Sequence, residues 1–144
     1  MFRKLIIRWK TARGKAVDIW SKSPYPADVL SNLHSNGFRF DGMICGSMEG
    51  FLQSLKHQNP DKQRQICSMK VRKAKNMSTS DWQTDQIVWW KGKNIDRQSG
   101  EFMELVGRAY RAMFEQKKSF RAALMSTRGR TLYHTKGEHN PFKT

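Results

Sequence analysis

The chain has 144 residues, enough for one domain with a hydrophobic core but not comfortably for two. Its 27 Lys and Arg residues outnumber its 12 Asp and Glu residues, so the formal charge is +15 and anionic partners are expected. No segment is apolar enough to span a membrane, and no membrane partner is expected. Because the basic residues are interleaved with Trp and Tyr, nucleic acid is favoured over a charge that only aids solubility.

The cysteines and histidines give no pattern of a disulfide framework or a metal site. Cys45 and Cys67 have no paired spacing, and no signal peptide precedes them, which indicates a reduced, cytoplasmic location. The four histidines stand apart from both cysteines, so no metal site is expected. No glycine-rich phosphate loop is present either, and no cofactor is expected.

The first 14 residues mix basic and apolar side chains and end at Gly14. We predict a basic extension over 1–14 and a domain over 15–144. A hairpin is expected here, with a strand near Ala16–Trp20, and the alternative is a helix through residues 2–10.

Two short extended segments are predicted next, at Leu30–Leu33 and Gly37–Phe40. The dipeptide Asp41-Gly42 is a strong turn signal, so the second segment is expected to pair with Met43–Cys45 as a hairpin.

A short amphipathic helix is predicted to follow this hairpin. Ser47 is its expected N-cap, and Met48, Leu52 and Leu55 recur at the spacing of a buried stripe. Gly50 costs a helix about 1 kcal/mol, which indicates that something packs or binds closely against the backbone there.

Glu49, Gln53 and Lys56 repeat the same spacing one residue later and form a polar stripe beside the apolar one. The two charged residues are expected roughly 10 Å apart along the axis, wide enough to flank a sugar. The alternative is a solvated helix face with weak charge pairing.

Pro60 is predicted to occupy the first position of another helix, which runs to Met69. The densest basic stretch of the chain lies in and after it. Such a stretch is either a solvated helix face or a nucleic-acid-binding surface that tracks phosphates. Its candidate residues are Arg64, Lys70, Arg72, Lys73 and Lys75.

Three tryptophans, Trp82, Trp89 and Trp90, come after a predicted loop at 78–81 and precede Lys91-Gly92-Lys93. They are either a platform on which bases stack or, for two of them, part of the core.

The longest predicted helix runs from Ser99 to Gln116, and a shorter one from Ser119 to Ser126. Arg97 precedes the long helix, next to its free backbone N–H groups. It is either a seat for a pyrophosphate or one side of a capping salt bridge. A strand is predicted at Thr131–His134. The predicted buried stripe of the long helix consists of Phe102, Leu105, Val106, Ala109, Tyr110 and Met113.

The order of these segments resembles the NADAR/YbiA-like N-glycosidase family over roughly residues 17–142. The segments that carry the resemblance are Leu30–Leu33, Phe40–Gly42, Ser47–Lys56, Trp90–Ser99, Phe114–Gln116, Phe120–Thr127 and Leu132–His134. Each is weak alone, and their common order makes the resemblance specific.

This resemblance implies a compact, mostly helical α+β single domain with a small β-sheet. It also implies hydrolysis of N-glycosidic bonds, as in removal of ADP-ribose from guanine in nucleic acid to counteract DarT-type toxins. Its catalytic residues would be Glu49 and Lys56. Its ligand-binding residues would be Asn32, Gln53, Trp90, Arg97, Ser99, His134 and Asn140.

The sequence departs from the family pattern in three ways. Gly50-Phe51-Leu52 replaces the usual His-Tyr-Phe, which would open space beside the carboxylate, and Asn140 replaces an Asp. The chain also stops soon after Pro141, so either the fold is trimmed or part of the pocket comes from elsewhere, such as the second subunit of a homodimer.

Cleavage of a base-to-ribose bond needs an anion near C1 of the sugar and a proton donor or cation near the leaving base. Glu49 suits the first task, or activates the attacking water. Lys56 suits the second, or attacks C1 and forms a Schiff base. The charge of the chain favours ADP-ribosylated DNA or RNA over riboflavin-pathway intermediates as substrate. The alternatives from other classes are an inactive nucleic-acid binder and a protein that only binds ADP-ribose.

Overall fold

The computed structural model describes residues 2–77 and 84–135, and the fold is α+β. In this part of the chain, seven helices alternate with three two-stranded sheets. The helices are α1 (Phe2–Ala12), α2 (Ala27–Leu30), α3 (Met48–Ser54), α4 (Pro60–Cys67), α5 (Val71–Lys75), α6 (Gly100–Gln116) and α7 (Lys118–Met125). The strands are β1 (Ala16–Asp18), β2 (Phe38–Phe40), β3 (Met43–Cys45), β4 (Ile87–Trp90), β5 (Lys93–Asp96) and β6 (Thr131–Tyr133).

The chain divides into two compact units, one formed by residues 1–31 with 119–144 and the other by residues 32–118. In the first unit, β1 pairs in parallel with β6, with Val17 opposite Leu132. The Asp18 carboxylate accepts hydrogen bonds from the backbone and side chain of Thr135, at 2.9 and 2.6 Å. The strands predicted near Ala16–Trp20 and at Thr131–His134 are both present, and they pair with each other.

The expected N-terminal hairpin is wrong, because residues 2–12 form helix α1, as the alternative predicted. The apolar residues of this segment recur every three to four positions, which suits a helix better than a strand. Ile7 is its buried side chain.

In the second unit, β2 and β3 form the predicted hairpin, with Phe40 opposite Met43. The turn residues Asp41 and Gly42 have φ values of 48° and 77°, the left-handed conformation that Asp and Gly tolerate best.

The extended segment expected at Leu30–Leu33 is wrong, because Leu30 ends helix α2 and donates its N–H to the Pro26 carbonyl at 3.1 Å.

Side-chain caps begin α4 and α6 where the sequence predicted. The Asn59 side chain accepts from the N–H groups at the start of α4, with Pro60 in the first position. The Ser99 side chain accepts from the N–H of Phe102 and caps α6. Each cap satisfies N–H groups that have no partner within the helix.

Three aromatic rings form the centre of this unit's core. The Phe40 and Trp90 rings stack with centroids 5.7 Å apart, and both meet the edge or face of Phe51, at 5.5 and 5.2 Å. Phe51 is fully buried. The ring cluster joins α3 to the β2–β3 hairpin and to β4.

Cys45 and Cys67 are buried free thiols whose Sγ atoms lie 2.9 Å apart. Their separation in sequence gave no sign of this contact, which arises because β3 and α4 pack together.

Across residues 2–77 and 84–135, no helix combines the length and the apolarity needed to cross a bilayer.

Candidate functional site

The site is built around the first turn of α3. Ser47 caps this helix by accepting from the N–H of Gly50 at 3.0 Å, and Glu49 lies in the first turn. The backbone N–H of Glu49 donates to the backbone carbonyl of Asn32 at 3.1 Å, so the segment at Asn32 also holds the backbone of the glutamate in place. A carboxylate in this position is stabilised by the helix dipole.

Gln53 is buried and lies one turn after Glu49. Its Nε2 donates to Oε1 of Glu49 at 2.8 Å, which fixes the orientation of the carboxylate. Its own Oε1 is buried and accepts no hydrogen bond from any residue in the described part of the chain. Since buried polar atoms are almost always paired, this oxygen keeps an unused capacity to accept a hydrogen bond beside the carboxylate.

Lys56 lies two residues beyond the last residue of α3, in a turn in which its N–H donates to the Gln53 carbonyl at 3.2 Å. Its side chain is half-buried, and burial lowers its pKa. The Glu49 charge raises this pKa and the Arg97 charge lowers it. The structure thus brings Glu49, Gln53 and Lys56 together, as the spacing predicted.

Arg97 reaches the same site through the β4–β5 hairpin. The Trp89 N–H donates to the Leu55 carbonyl at 2.7 Å, which attaches β4 to the end of α3. Strand β5 pairs with β4 and leads directly to Arg97, whose Nη1 donates to Oε1 of Gln86 at 3.1 Å. The Arg97 charge lowers the pKa of Lys56, so two cations lie near each other at this site.

Tyr110 is the site residue that sequence reasoning missed, because its spacing placed it in the buried stripe of α6. Its hydroxyl donates to Oδ1 of Asn32 at 2.5 Å. Burial raises the pKa of Tyr110, the Asn32 hydrogen bond lowers it, and the Glu49 charge raises it. Tyr110 and Glu49 therefore share one electrostatic environment. The sequence offered one signal for this contact. A buried Tyr hydroxyl usually finds a hydrogen-bond partner, and Tyr110 is the polar member of an otherwise apolar stripe.

Gly50 does not open space beside the carboxylate, contrary to what its replacement of a larger residue suggested. A Cβ at this position would lie 2.9 Å from the Cys67 carbonyl oxygen. The glycine instead allows the backbone of α4 to approach α3. This agrees with the close backbone packing that a glycine inside a helix indicated.

Trp90 is not at the site, contrary to the expectation that it lines a ligand pocket. Its ring is buried against Phe40 and Phe51, and its Nε1 donates to Oδ2 of Asp41 at 2.9 Å. Both faces of the indole are therefore unavailable for stacking on a base, as the core alternative predicted. Trp89 is half-buried, and Trp82 lies outside the described residues.

Ser99 acts as the cap of α6, and its hydroxyl donates to the Asp96 carbonyl at 2.6 Å. Its side chain is thus already engaged on both sides, which leaves little capacity to hold a ligand.

His134 belongs to the other unit, where its Nδ1 donates to the Ile19 carbonyl at 2.8 Å. Asn140 lies outside the described residues.

The predicted nucleic-acid-binding residues all belong to α4, to α5 or to the turn between them. Their side chains are exposed: Arg64, Lys70, Arg72, Lys73 and Lys75. Arg64 forms a surface ion pair with Asp61 at 3.2 Å. Exposed charge of this kind is available to a polyanion, and equally to water.

The described part of the chain contains no group of three or more His, Cys, Asp or Glu side chains with the geometry to hold a metal ion.

A family model described as bacteriophage protein GP30.3 matches residues 24–144. The chain is also 32% identical, over 121 residues, to an uncharacterized 17.1 kDa protein in the Gp30-rIII intergenic region of Enterobacteria phage T4. This alignment covers 83% of the chain and 80% of its relative. No solved structure matches the chain.

The resemblance to the NADAR/YbiA-like family is therefore wrong as an identification, because the family model that matches this region is a different one. Short segments that share an order with another family are weak signals compared with a match over most of the chain. The chain belongs to the family of bacteriophage protein GP30.3.

Proposed function

We propose that this chain is an N-glycosidase that hydrolyses the bond between a base and a ribose in a phosphate-bearing substrate. The observation that carries the proposal is the hydrogen bond from buried Gln53 to Glu49, beside a Gln53 oxygen that has no partner in the described residues. A carboxylate oriented in this way, next to an acceptor for a sugar hydroxyl, suits a reaction at a sugar carbon.

The reaction needs negative charge near C1 of the ribose, because positive charge develops there as the bond to the base breaks. In the proposed step, water attacks C1, the bonding electron pair leaves with the base nitrogen, and Glu49 accepts the proton of the water. We assign this role to Oε2 of Glu49, since Oε1 is held by Gln53.

Lys56 is the candidate for handling the leaving base. Burial lowers its pKa, so it gives up a proton more easily than an exposed lysine. A lysine with a lowered pKa is equally suited to attack C1 and form a Schiff base with the opened sugar. Both roles place its Nζ near the reacting carbon, and trapping with borohydride distinguishes them because only a Schiff base is reduced to a stable adduct.

Arg97 and the charge of the chain favour an anionic substrate. The Arg97 guanidinium is suited to bind a pyrophosphate by paired hydrogen bonds, which would position the sugar without contact to the base. The formal charge of +15 and the exposed cations of α4 and α5 favour a nucleic acid over a small metabolite, because binding would release many counterions. ADP-ribosylated guanine in DNA or RNA contains both features, and the cytoplasm is the compartment in which this proposal places the reaction.

The test is incubation of the protein with an oligonucleotide that carries ADP-ribose on guanine, followed by chromatography of the products. Free ADP-ribose and restored oligonucleotide are expected with the parent protein. Glu49→Gln is expected to release neither, whereas Glu104→Gln, at an exposed position of α6, is expected to match the parent. Absence of product with the parent protein would refute this substrate.

A second candidate is a nucleic-acid-binding protein without catalysis, which the exposed cations of α4 and α5 favour. This candidate predicts salt-sensitive oligonucleotide binding that Glu49→Gln leaves unchanged, with no turnover of any glycosidic substrate. A ribosylated riboflavin-pathway intermediate is the small substrate to include in the same assay.

A further inference from the structure

Helix α1 presents a row of large apolar side chains to solvent. Phe2, Leu5, Ile6 and Trp9 are 77, 53, 52 and 50% exposed. With about 100° between successive residues of a helix, these four fall within an arc of roughly 100°. Ile7 points to the opposite side and is buried. The core of the protein therefore uses one side of α1 and leaves the other apolar side uncovered.

The exposed row is bordered by positive charge. Arg3 and Lys10 flank it on one edge and Arg8 on the other, by the same helical spacing. Six Lys and Arg residues precede Asp18, which is the first acidic residue of the sequence. The Arg13 guanidinium lies 4.5 Å from the centre of the Trp9 ring and adds a cation to that end of the row.

An apolar row flanked by cations fits a partner that offers both anions and an apolar phase. An anionic lipid bilayer offers both, since the headgroups attract Lys and Arg while Leu, Ile, Phe and Trp enter the acyl boundary. Nucleic acid offers the anions but has no apolar phase for Leu5 and Ile6. A second copy of α1 would bring like charges together.

We infer that α1 binds the surface of an anionic membrane, lying flat with its apolar row inserted at the headgroup level. This helix has 11 residues and is about 16 Å long, too short to span a bilayer, so the mode is interfacial. The expectation of no membrane partner rested on the lack of a membrane-spanning segment, and it does not apply to a helix that lies at the membrane surface. Residues 1–23 also lie outside the region matched by the family model, so this property belongs to a part of the chain beyond that match.

The test is flotation of the full chain with vesicles of phosphatidylcholine alone or mixed with phosphatidylglycerol. Binding to the anionic vesicles is expected to be at least about tenfold stronger and to weaken with added salt. The double variant Leu5→Gln, Ile6→Gln is expected to lose this binding by about tenfold or more, because it removes the apolar insertion without changing the charge. Met103→Gln, at a residue of α6 that is 70% exposed, is the matched control and is expected to bind as the parent does.

Fluorescence provides an independent readout. The emission of Trp9, obtained as the difference between the parent and Trp9→Phe, is expected to shift to the blue on addition of anionic vesicles. Thermal melts of all variants check that folding is retained. Retention is expected, because substitutions at exposed positions usually change stability little.

Three results would overturn the inference. Equal vesicle binding by the parent and the double variant would mean that charge alone drives adsorption. Loss of oligonucleotide binding in the double variant, with vesicle binding retained, would make α1 a nucleic-acid-binding arm. A parent dimer that the double variant dissociates, without vesicle binding by either, would assign the apolar row to self-association.

Discussion

The side-chain amide of Gln53 donates to Oε1 of Glu49 at 2.8 Å, one turn earlier in α3. The amide must present its NH₂ to the carboxylate, so its oxygen is directed elsewhere, and that oxygen is buried without a partner in the described residues. The pair thus orients a carboxylate and provides an acceptor in one place.

Glu49→Gln is expected to lower the rate of glycosidic cleavage by about 10²- to 10⁴-fold, the usual contribution of a carboxylate that acts as acid or base. A glutamine can still accept from Gln53, so the fold is expected to persist. The measurement is the initial rate of ADP-ribose release, with Glu104→Gln as the control for loss of one negative charge. A rate close to that of the parent would remove Glu49 from the reaction.

The pKa of Lys56 is expected to fall further in Glu49→Gln, because the Glu49 charge raises this pKa in the parent. The measurement is the pH dependence of the Lys56 Nζ resonance in both proteins. An unchanged titration would show that the two side chains do not interact.

Stability is expected to depend on pH through Lys56. The unfolded chain keeps the Lys56 proton up to about its ordinary pKa of 10.5, whereas the folded chain releases it at lower pH. The unfolded state therefore binds more protons between these values, and the free energy of unfolding gains a contribution that rises with pH across this interval. Urea unfolding at a series of pH values is expected to show a smaller rise for Lys56→Met than for the parent. The exposed Lys62→Met is the control and is expected to retain the rise due to Lys56.

Tyr110→Phe is expected to lower the free energy of unfolding by about 1–3 kcal/mol, since Asn32 Oδ1 would lose its donor. The matched control is Tyr25→Phe, because Tyr25 is exposed and the same atom is removed there at little cost. Urea denaturation of the three proteins gives both values. Equal stability of the two variants would show that the Tyr110 hydroxyl contributes nothing to the fold.

Gly50→Ala and Gly107→Ala are expected to change stability in opposite directions. A Cβ at Gly50 lies 2.9 Å from the Cys67 carbonyl, so α3 and α4 must separate, at a cost of about 1–3 kcal/mol. A Cβ at Gly107 meets nothing within 4 Å, and alanine there gains about 0.5–1 kcal/mol from its helix propensity. Thermal melts distinguish the two, and a stabilised Gly50→Ala would contradict the packing described for α3 and α4.

Replacement of Arg72 and Lys73 by Gln is expected to reduce the salt dependence of oligonucleotide binding by about one to two released counterions. Both residues are exposed on α5. Lys93→Gln is the control, because the Lys93 ammonium is already paired with Glu101 at 2.5 Å. An identical salt slope in all three proteins would place the nucleic-acid contact elsewhere.

The sequence alone determined the local features of the site. Ser47, Asn59-Pro60 and Ser99 mark helix starts because capping involves atoms only two or three residues apart. The Asp41-Gly42 turn follows from the same kind of local rule. The common side of Glu49, Gln53 and Lys56 followed from helical spacing, although α3 ends at Ser54 and a turn carries Lys56.

Only the tertiary structure decided which distant segments meet. The Tyr110 hydroxyl reaches Asn32, 78 positions away, and burial against Phe40 and Phe51 makes Trp90 a core residue. The pairing of β1 with β6 and the approach of Arg97 to Lys56 depend on long-range packing in the same way. A periodic pattern states that a face is buried but does not identify the partner of that face, because burial of apolar area is not directional.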